Sequence, residues 1–241
     1  HSEDRQAILR AVATVDTQLG RVMRAAGELA VAVIVTADHG TVEKWYYPDG
    51  TIDTGHTDSP VPLVLVAPHL RSARLRDGGT LVDVAPTALH LLGIDKPAPM
   101  TGQSLVVSGE TARRYESRRV ALLILDGWGH RDETWGNLIW EADTPVMDAL
   151  QATYPCTRLE AAGEAVGLPE TVPGRPGKTV GNSEVGHLHL GAGRVVSSDR
   201  LRIERAIADA TFFANLAFEW ALQGARRDGT SLHLLGIISF Y

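Results

Sequence analysis

A single cysteine, Cys156, stands in 241 residues, so no disulfide can close within the chain. Such usage fits a reducing compartment, the cytoplasm, and a buried inert thiol is the expectation for Cys156. Long apolar runs are equally scarce. The longest, Val61 to Ala67 and Val120 to Leu125, have the length of strands and fall far short of the roughly 18 residues of a membrane span. An excess of positive charge is also missing: 23 Lys and Arg stand against 29 Asp and Glu, a formal charge of −6. That argues against a nucleic-acid surface and leaves room only for a local anion pocket. The start, His1-Ser2-Glu3-Asp4-Arg5, is polar, shows no signal peptide and lacks an initiating methionine, which implies a start inside a longer protein. What is present, 44% hydrophobic and 22% charged residues, suffices for a soluble core, as one large domain or two small ones.

Ile8, Val12, Val15, Leu19 and Val22 recur at helical spacing and predict an amphipathic helix over about 5–27, with Gly27 as its stop. Residues 30–36 form a short β-branched run, expected to be a buried parallel strand. Its end delivers Asp38 and His39 where open α/β sheets place their ligands. Residues 44–60 read as a loop or hairpin turning at Pro48-Asp49-Gly50, 62–67 as a strand, and 83–92 as a helix closed by Gly93. Residues 107–118 lack apolar periodicity and read as a linker. The clearest buried strand is Val120 to Leu125, with Asp126-Gly127 at its end. Thr144-Pro145 opens a short helix, with threonine as N-cap. A glycine-rich loop over 163–181 leads to Ser183, two helical stretches follow near 200–209 and 211–226, and a final strand is expected over 231–238. Strands alternating with helices imply an α/β fold with a mainly parallel sheet sandwiched by helices.

The most informative stretch is Gly181-Asn182-Ser183-Glu184-Val185-Gly186-His187. A serine between glycines, ahead of a helix, can act as a covalent nucleophile if something lowers its pKa. Asp38 and His39 offer a hard oxygen and a borderline nitrogen to one divalent ion, with Gly40 permitting the sharp turn that adjacent ligands need. The plainer reading is a loop aspartate and a satisfied histidine. Asp126 is a ligand or a cap, and His56, between Gly55 and Thr57, is unremarkable by itself. His187 and His189 read as structural, because Leu188 and Leu190 alternate with them, although a general base is the other reading. Arg194, Arg200, Arg202 and Arg205 would clamp an anion or line a solvated helix face, and the sequence leaves both open.

In combination these segments resemble cofactor-independent phosphoglycerate mutase, a family of the alkaline-phosphatase-like superfamily. Val120-Ala-Leu-Leu-Ile-Leu-Asp-Gly-Trp-Gly129 looks like that family's N-terminal strand, and Gly181-Asn-Ser-Glu-Val-Gly-His-Leu-His-Leu-Gly-Ala-Gly-Arg194 resembles its nucleophile motif. Thr36-Ala-Asp-His-Gly40, Gly55-His-Thr57, Leu75-Arg-Asp-Gly-Gly79, Asp83-Val-Ala-Pro-Thr87 and Met100-Thr-Gly-Gln-Ser-Leu105 resemble its C-terminal portion. The resemblance implies interconversion of 3-phosphoglycerate and 2-phosphoglycerate in glycolysis through a phosphoserine, with two divalent metal ions, manganese or similar. Carried over, Ser183 is the nucleophile. Asp126, Ser183, Asp38 and His39 hold one metal, and His56 and His1 belong to the other.

The segments stand in permuted order. Residues 1–106 match the C-terminal part of the family's metal domain, 107–117 is the linker, and 118–199 match the N-terminal part carrying the nucleophile. Residues 200–241 match only the start of a truncated phosphotransferase domain, which in the family supplies most substrate-binding arginines. The aspartate expected four residues before His1 lies outside the sequence, so the second metal site is incomplete. Thr41 stands where the family usually has asparagine. The expectation is an enzyme by descent with little mutase activity of its own and slow phosphate-ester hydrolysis. The competing expectation is a metal-binding module completed by a separate chain. A small-molecule phosphoglycerate is the implied partner, with no nucleic acid and no membrane.

Overall fold

A computed structural model describes residues 3–107, 117–172, 174 and 176–235. His1, nearly all of the expected linker and residues 236–241 of the expected last strand lie outside the described residues, and 231–235 form no strand. The chain divides into two compact units, 1–197 and 198–241.

The first unit runs α1 (Arg5–Glu28), β1 (Ala32–Thr36), β2 (Val61–Val66), β3 (Arg74–Leu75), β4 (Gly79–Thr80), α2 (Val84–Leu91), β5 (Val106–Val107), β6 (Val120–Ile124), α3 (Leu138–Glu141), α4 (Pro145–Thr153), β7 (Cys156–Glu160) and α5 (Ser183–Ala192). Five strands make one sheet in the order β4-β7-β2-β1-β6. β1 is parallel to β6 and antiparallel to β2, β2 is antiparallel to β7, and β7 is parallel to β4. Four strands therefore run one way and β2 alone runs against them, so the sheet is mainly parallel. The short strands β3 and β5 pair separately.

β1 is buried along its whole length, as its unbroken run of Ala, Val and Ile requires of a central strand. β6 corrects an expectation: the apolar run that looked most deeply buried is only half-buried, with Leu122 38% exposed. The reason is position. β6 lies at the edge of the sheet, paired on one side with β1. Cys156 corrects another, because its thiol is exposed. Alternation along β7 buries Thr157 and Leu159 and turns Cys156 and Arg158 outward.

Asp4 caps α1 by accepting from the N–H of Ala7 at 3.0 Å. The inner face of α1, with Val12 and Leu19, packs into a core built from β1, β2, Met147 and Leu150 of α4, and Leu190 of α5. α4 opens at Thr144-Pro145, but the threonine side chain makes no capping bond. Buried Asp16 of α1 accepts instead from the N–H groups of Val146 (3.0 Å) and Met147 (2.8 Å). The cap is thus supplied across the fold by a residue about 130 positions away.

The second unit contains α6 (Asp199–Ala208), a short 3-10 turn over Thr211–Ala214 and α7 (Leu216–Asp228). On α6, Arg200 pairs with Glu204 and Arg202 with Asp199. Both arginines are exposed and paired within their own helix, which agrees with a solvated face and leaves the anion clamp open.

Candidate metal centre

Parallel pairing of β1 with β6 sets Thr36 beside Ile124. The chain leaving both strands at the same end carries Asp38 and His39 from one and Asp126 from the other, the position at which parallel sheets bind ligands. α5 brings the nucleophile candidate: Ser183 is its first residue, and Asn182 caps it by accepting from the N–H of Val185 at 2.9 Å. Gly186 lets this helix come close. A Cβ there would stand 2.5 Å from the carbonyl oxygen of Asp38, so a larger residue would push α5 off the sheet end.

His39 lies at the middle of the cluster. Its Nδ1 is 3.0 Å from the carbonyl of Gly40; a carbonyl only accepts, so Nδ1 carries a proton and Nε2 is the atom turned towards the cluster. Nε2 lies 3.2 Å from Ser183 Oγ, within hydrogen-bond reach, 3.3 Å from Asp126 Oδ1 and 3.6 Å from Asp38 Oδ2. By the same logic His56, 2.9 Å through Nδ1 from the carbonyl of Gly181, is protonated there. Its ring centroid stands 4.0 Å from that of His39.

Asp38 is fully buried. Its Oδ1 accepts from the N–H groups of His39 (3.0 Å) and Gly127 (3.1 Å), whereas its buried Oδ2 makes no hydrogen bond among the described residues. An orphaned buried carboxylate oxygen costs free energy unless something else satisfies it. Oxygens of Asp38, Asp126 and Ser183 with a histidine nitrogen form a donor set suited to a divalent cation such as manganese. The residues fit a metal.

His187 joins this group, its ligand atom clustering with those of Asp38 and Asp126 within 4.8 Å. Its Nδ1 is 3.2 Å from Asp38 Oδ2 but 2.8 Å from the carbonyl of Ser183. The shorter contact marks Nδ1 as an N–H donor to its own helix, and ligation through that atom would require giving the bond up. Leucine alternation predicts a structural His187, yet its place four residues after Ser183 puts both on one face of α5. His189 behaves as a structural histidine: buried, with Nδ1 donating to Val185 O at 2.7 Å and Nε2 accepting from the N–H of Val196 at 3.0 Å. A cavity of about 470 Å³ opens onto the cluster, lined by His39, His56, Asp126 and Ser183 on one side and by Ile8, Val12 and Val15 of α1 on another. Of the residues expected at the site, Asp38, His39, His56, Asp126 and Ser183 lie together, and His1 is outside the described residues.

The chain is similar to several curated enzymes. The 2,3-bisphosphoglycerate-independent phosphoglycerate mutase of Methanococcoides burtonii is 48% identical over 126 residues, 52% of this chain and 23% of its own length. The enzyme of that name in Thermomicrobium roseum is 52% identical over 119 residues, 49% of this chain and 21% of its own. Phosphoglycerate mutase 1 of the same type from Methanosarcina barkeri is 50% identical over 119 residues, 49% of this chain and 22% of its own. The chain thus spans between a fifth and a quarter of the length of these relatives. A family model, that of the metalloenzyme superfamily, matches residues 1–96 and 118–228, on either side of the expected linker. With most of its length matched, the chain belongs to the metalloenzyme superfamily.

Proposed function

We propose that the chain carries the phosphoserine-forming centre of a cofactor-independent phosphoglycerate mutase, acting on a small phosphoglycerate in the cytoplasm. The observation that carries the reading is the buried, unsatisfied Oδ2 of Asp38 in a cluster that also holds Ser183 Oγ. In this reading Asp38, His39, Asp126 and Ser183 hold one divalent ion, and His56 with His1 contributes to a second. Manganese bound there would neutralise phosphoryl oxygens and favour the serine alkoxide.

The residues themselves then have definite tasks. Oγ of Ser183 attacks the phosphorus, the phosphate-ester bond of the substrate breaks, and the leaving glycerate oxygen takes up a proton while Ser183 has lost one. The Gly40 carbonyl holds the His39 ring with Nε2 towards Ser183, and Asn182 holds the first turn of α5. Mutase turnover further requires the glycerate to be retained for re-attack on the phosphoserine with water excluded.

Residues 1–106 and 118–199 form one phosphatase-like domain in this reading, joined through 107–117, with 200–241 opening a second. A sheet in which β6 and β7 stand beside β1, β2 and β4 supports that division. Because the chain spans so little of its relatives' length, we expect slow phosphate-ester hydrolysis and little mutase activity from the 241 residues alone; the competing reading is a metal-binding module completed by a separate chain. Assaying the chain with 3-phosphoglycerate and manganese tests this. Slow phosphate release that disappears in Ser183→Ala is the expected result; rapid formation of 2-phosphoglycerate would show that nothing is missing, and release unchanged by Ser183→Ala would remove the nucleophile assignment.

A further inference from the structure

Glu43 has no place in the functional reading so far, yet its side chain is wholly buried. Its Oε2 accepts from the backbone N–H of Thr41 at 2.8 Å, and its Oε1 accepts from the hydroxyl of Thr57. Both partners are neutral. Burying a carboxyl group between neutral donors costs free energy that an apolar side chain would not.

What the carboxyl group touches accounts for its presence. Thr41 and Thr57 are the two residues that brace the carbonyl of Gly40, Thr41 through its hydroxyl at 2.8 Å and Thr57 through its N–H at 3.0 Å. That carbonyl is the acceptor which fixes the His39 ring through Nδ1 at 3.0 Å. The carboxyl group also fills the space left by two glycines. A Cβ on either Gly40 or Gly129 would collide with Glu43. One group therefore contacts all three segments that converge on the cluster: the turn after β1 with Asp38 and His39, the bridge beside His56, and the loop that begins at Asp126.

We propose that Glu43 is a positioning residue of the centre, aiming Nε2 of His39 through Thr41, Thr57 and the Gly40 carbonyl. This inference rests on reading the cluster as a metal centre. A ligating histidine depends on the partner of its other ring nitrogen, and disturbing such a partner costs about 10–100-fold in metal affinity. Glu43→Gln keeps the volume of the side chain but turns an amide NH2 towards one of two donors, which loosens one brace of the Gly40 carbonyl.

The test compares the full chain with Glu43→Gln and Glu43→Ala in two measurements. Manganese titration followed by the electron paramagnetic resonance of free Mn2+ gives affinity, and the imidazole resonances of His39 and His56 in metal-free protein report ring placement. We expect Glu43→Gln to weaken manganese binding about 10–100-fold and to shift the His39 resonances, with the circular dichroism of the folded chain retained. Affinity within about twofold of the parent and unmoved His39 resonances would overturn the proposal, even if the thermal midpoint fell, because a purely structural carboxyl group lowers stability without redirecting the ring. If the parent chain holds no manganese, the metal reading fails by itself, and the metal-free resonances still decide the role of Glu43. Should Glu43→Ala fail to fold, Glu43→Gln alone decides it.

Discussion

Asp38 gives its two oxygens different surroundings: Oδ1 accepts two backbone N–H groups and Oδ2, equally buried, accepts none among the described residues. Replacing it by asparagine keeps a carbonyl oxygen for the two N–H groups and removes the charge that a cation would meet. Asp38→Asn is therefore expected to lower manganese affinity at least about tenfold, the low end of the cost of disturbing even a ligand's outer partner, while the thermal midpoint of metal-free protein does not fall, since a buried charge with one oxygen free of hydrogen bonds has gone. Isothermal titration and differential scanning calorimetry check the two halves separately. A midpoint lowered by several degrees without metal would mean that Asp38 serves the fold rather than the cation. Asp38, His39, Asp126 and Ser183 are legible in sequence because each stands just after an apolar strand or at the start of a helix. Glu43 was not. Nothing local marks it, and its meaning comes from Gly40, Thr57 and Gly129, which the fold alone brings around it.

Among the elements, the ones with strong periodicity were read closely from sequence: α1 runs over Arg5–Glu28 and β1 over Ala32–Thr36, near their expected limits. Burial was read less well, because hydrophobicity says that a strand has a core-facing side and not how many neighbours it has. β6 is as apolar as β1 but has a sheet neighbour on one side. Capping shows the same division between local and distant causes. Thr144 occupies the expected N-cap position, yet the acceptor for the first turn of α4 is Asp16. Asp16→Ala would leave the N–H groups of Val146 and Met147 without that acceptor, and we expect it to cost about 1–3 kcal/mol in denaturant unfolding. Thr144→Ala should cost less than about 1 kcal/mol, because its hydroxyl makes no capping bond. The opposite ranking would show that the local cap dominates.

For the whole molecule, a metal that binds the folded centre and not the unfolded chain must stabilise the fold through mass action. At free manganese about 100 times the dissociation constant the gain is about 2.7 kcal/mol, so EDTA should lower the thermal midpoint of the parent chain and lower that of Asp38→Asn by less. The parent's midpoint staying fixed across a manganese titration would remove the metal from the account. Long motifs carry the family resemblance in the sequence, and the family model matches residues 1–96 and 118–228, on either side of the expected linker. The matched part is only 21–23% of the relatives' length, so the sequence carries no motif for the rest of those proteins.

The central claim is that Ser183 takes up a phosphoryl group at a metal-bearing cluster. Peptide mass spectrometry of the chain after exposure to 3-phosphoglycerate and manganese tests it most directly. The account predicts a phosphorylated peptide containing Ser183, absent from Ser183→Ala and lost when EDTA is present. A phosphoryl group that persists in Ser183→Ala, or no phosphoryl group on a chain shown to hold manganese, would contradict it.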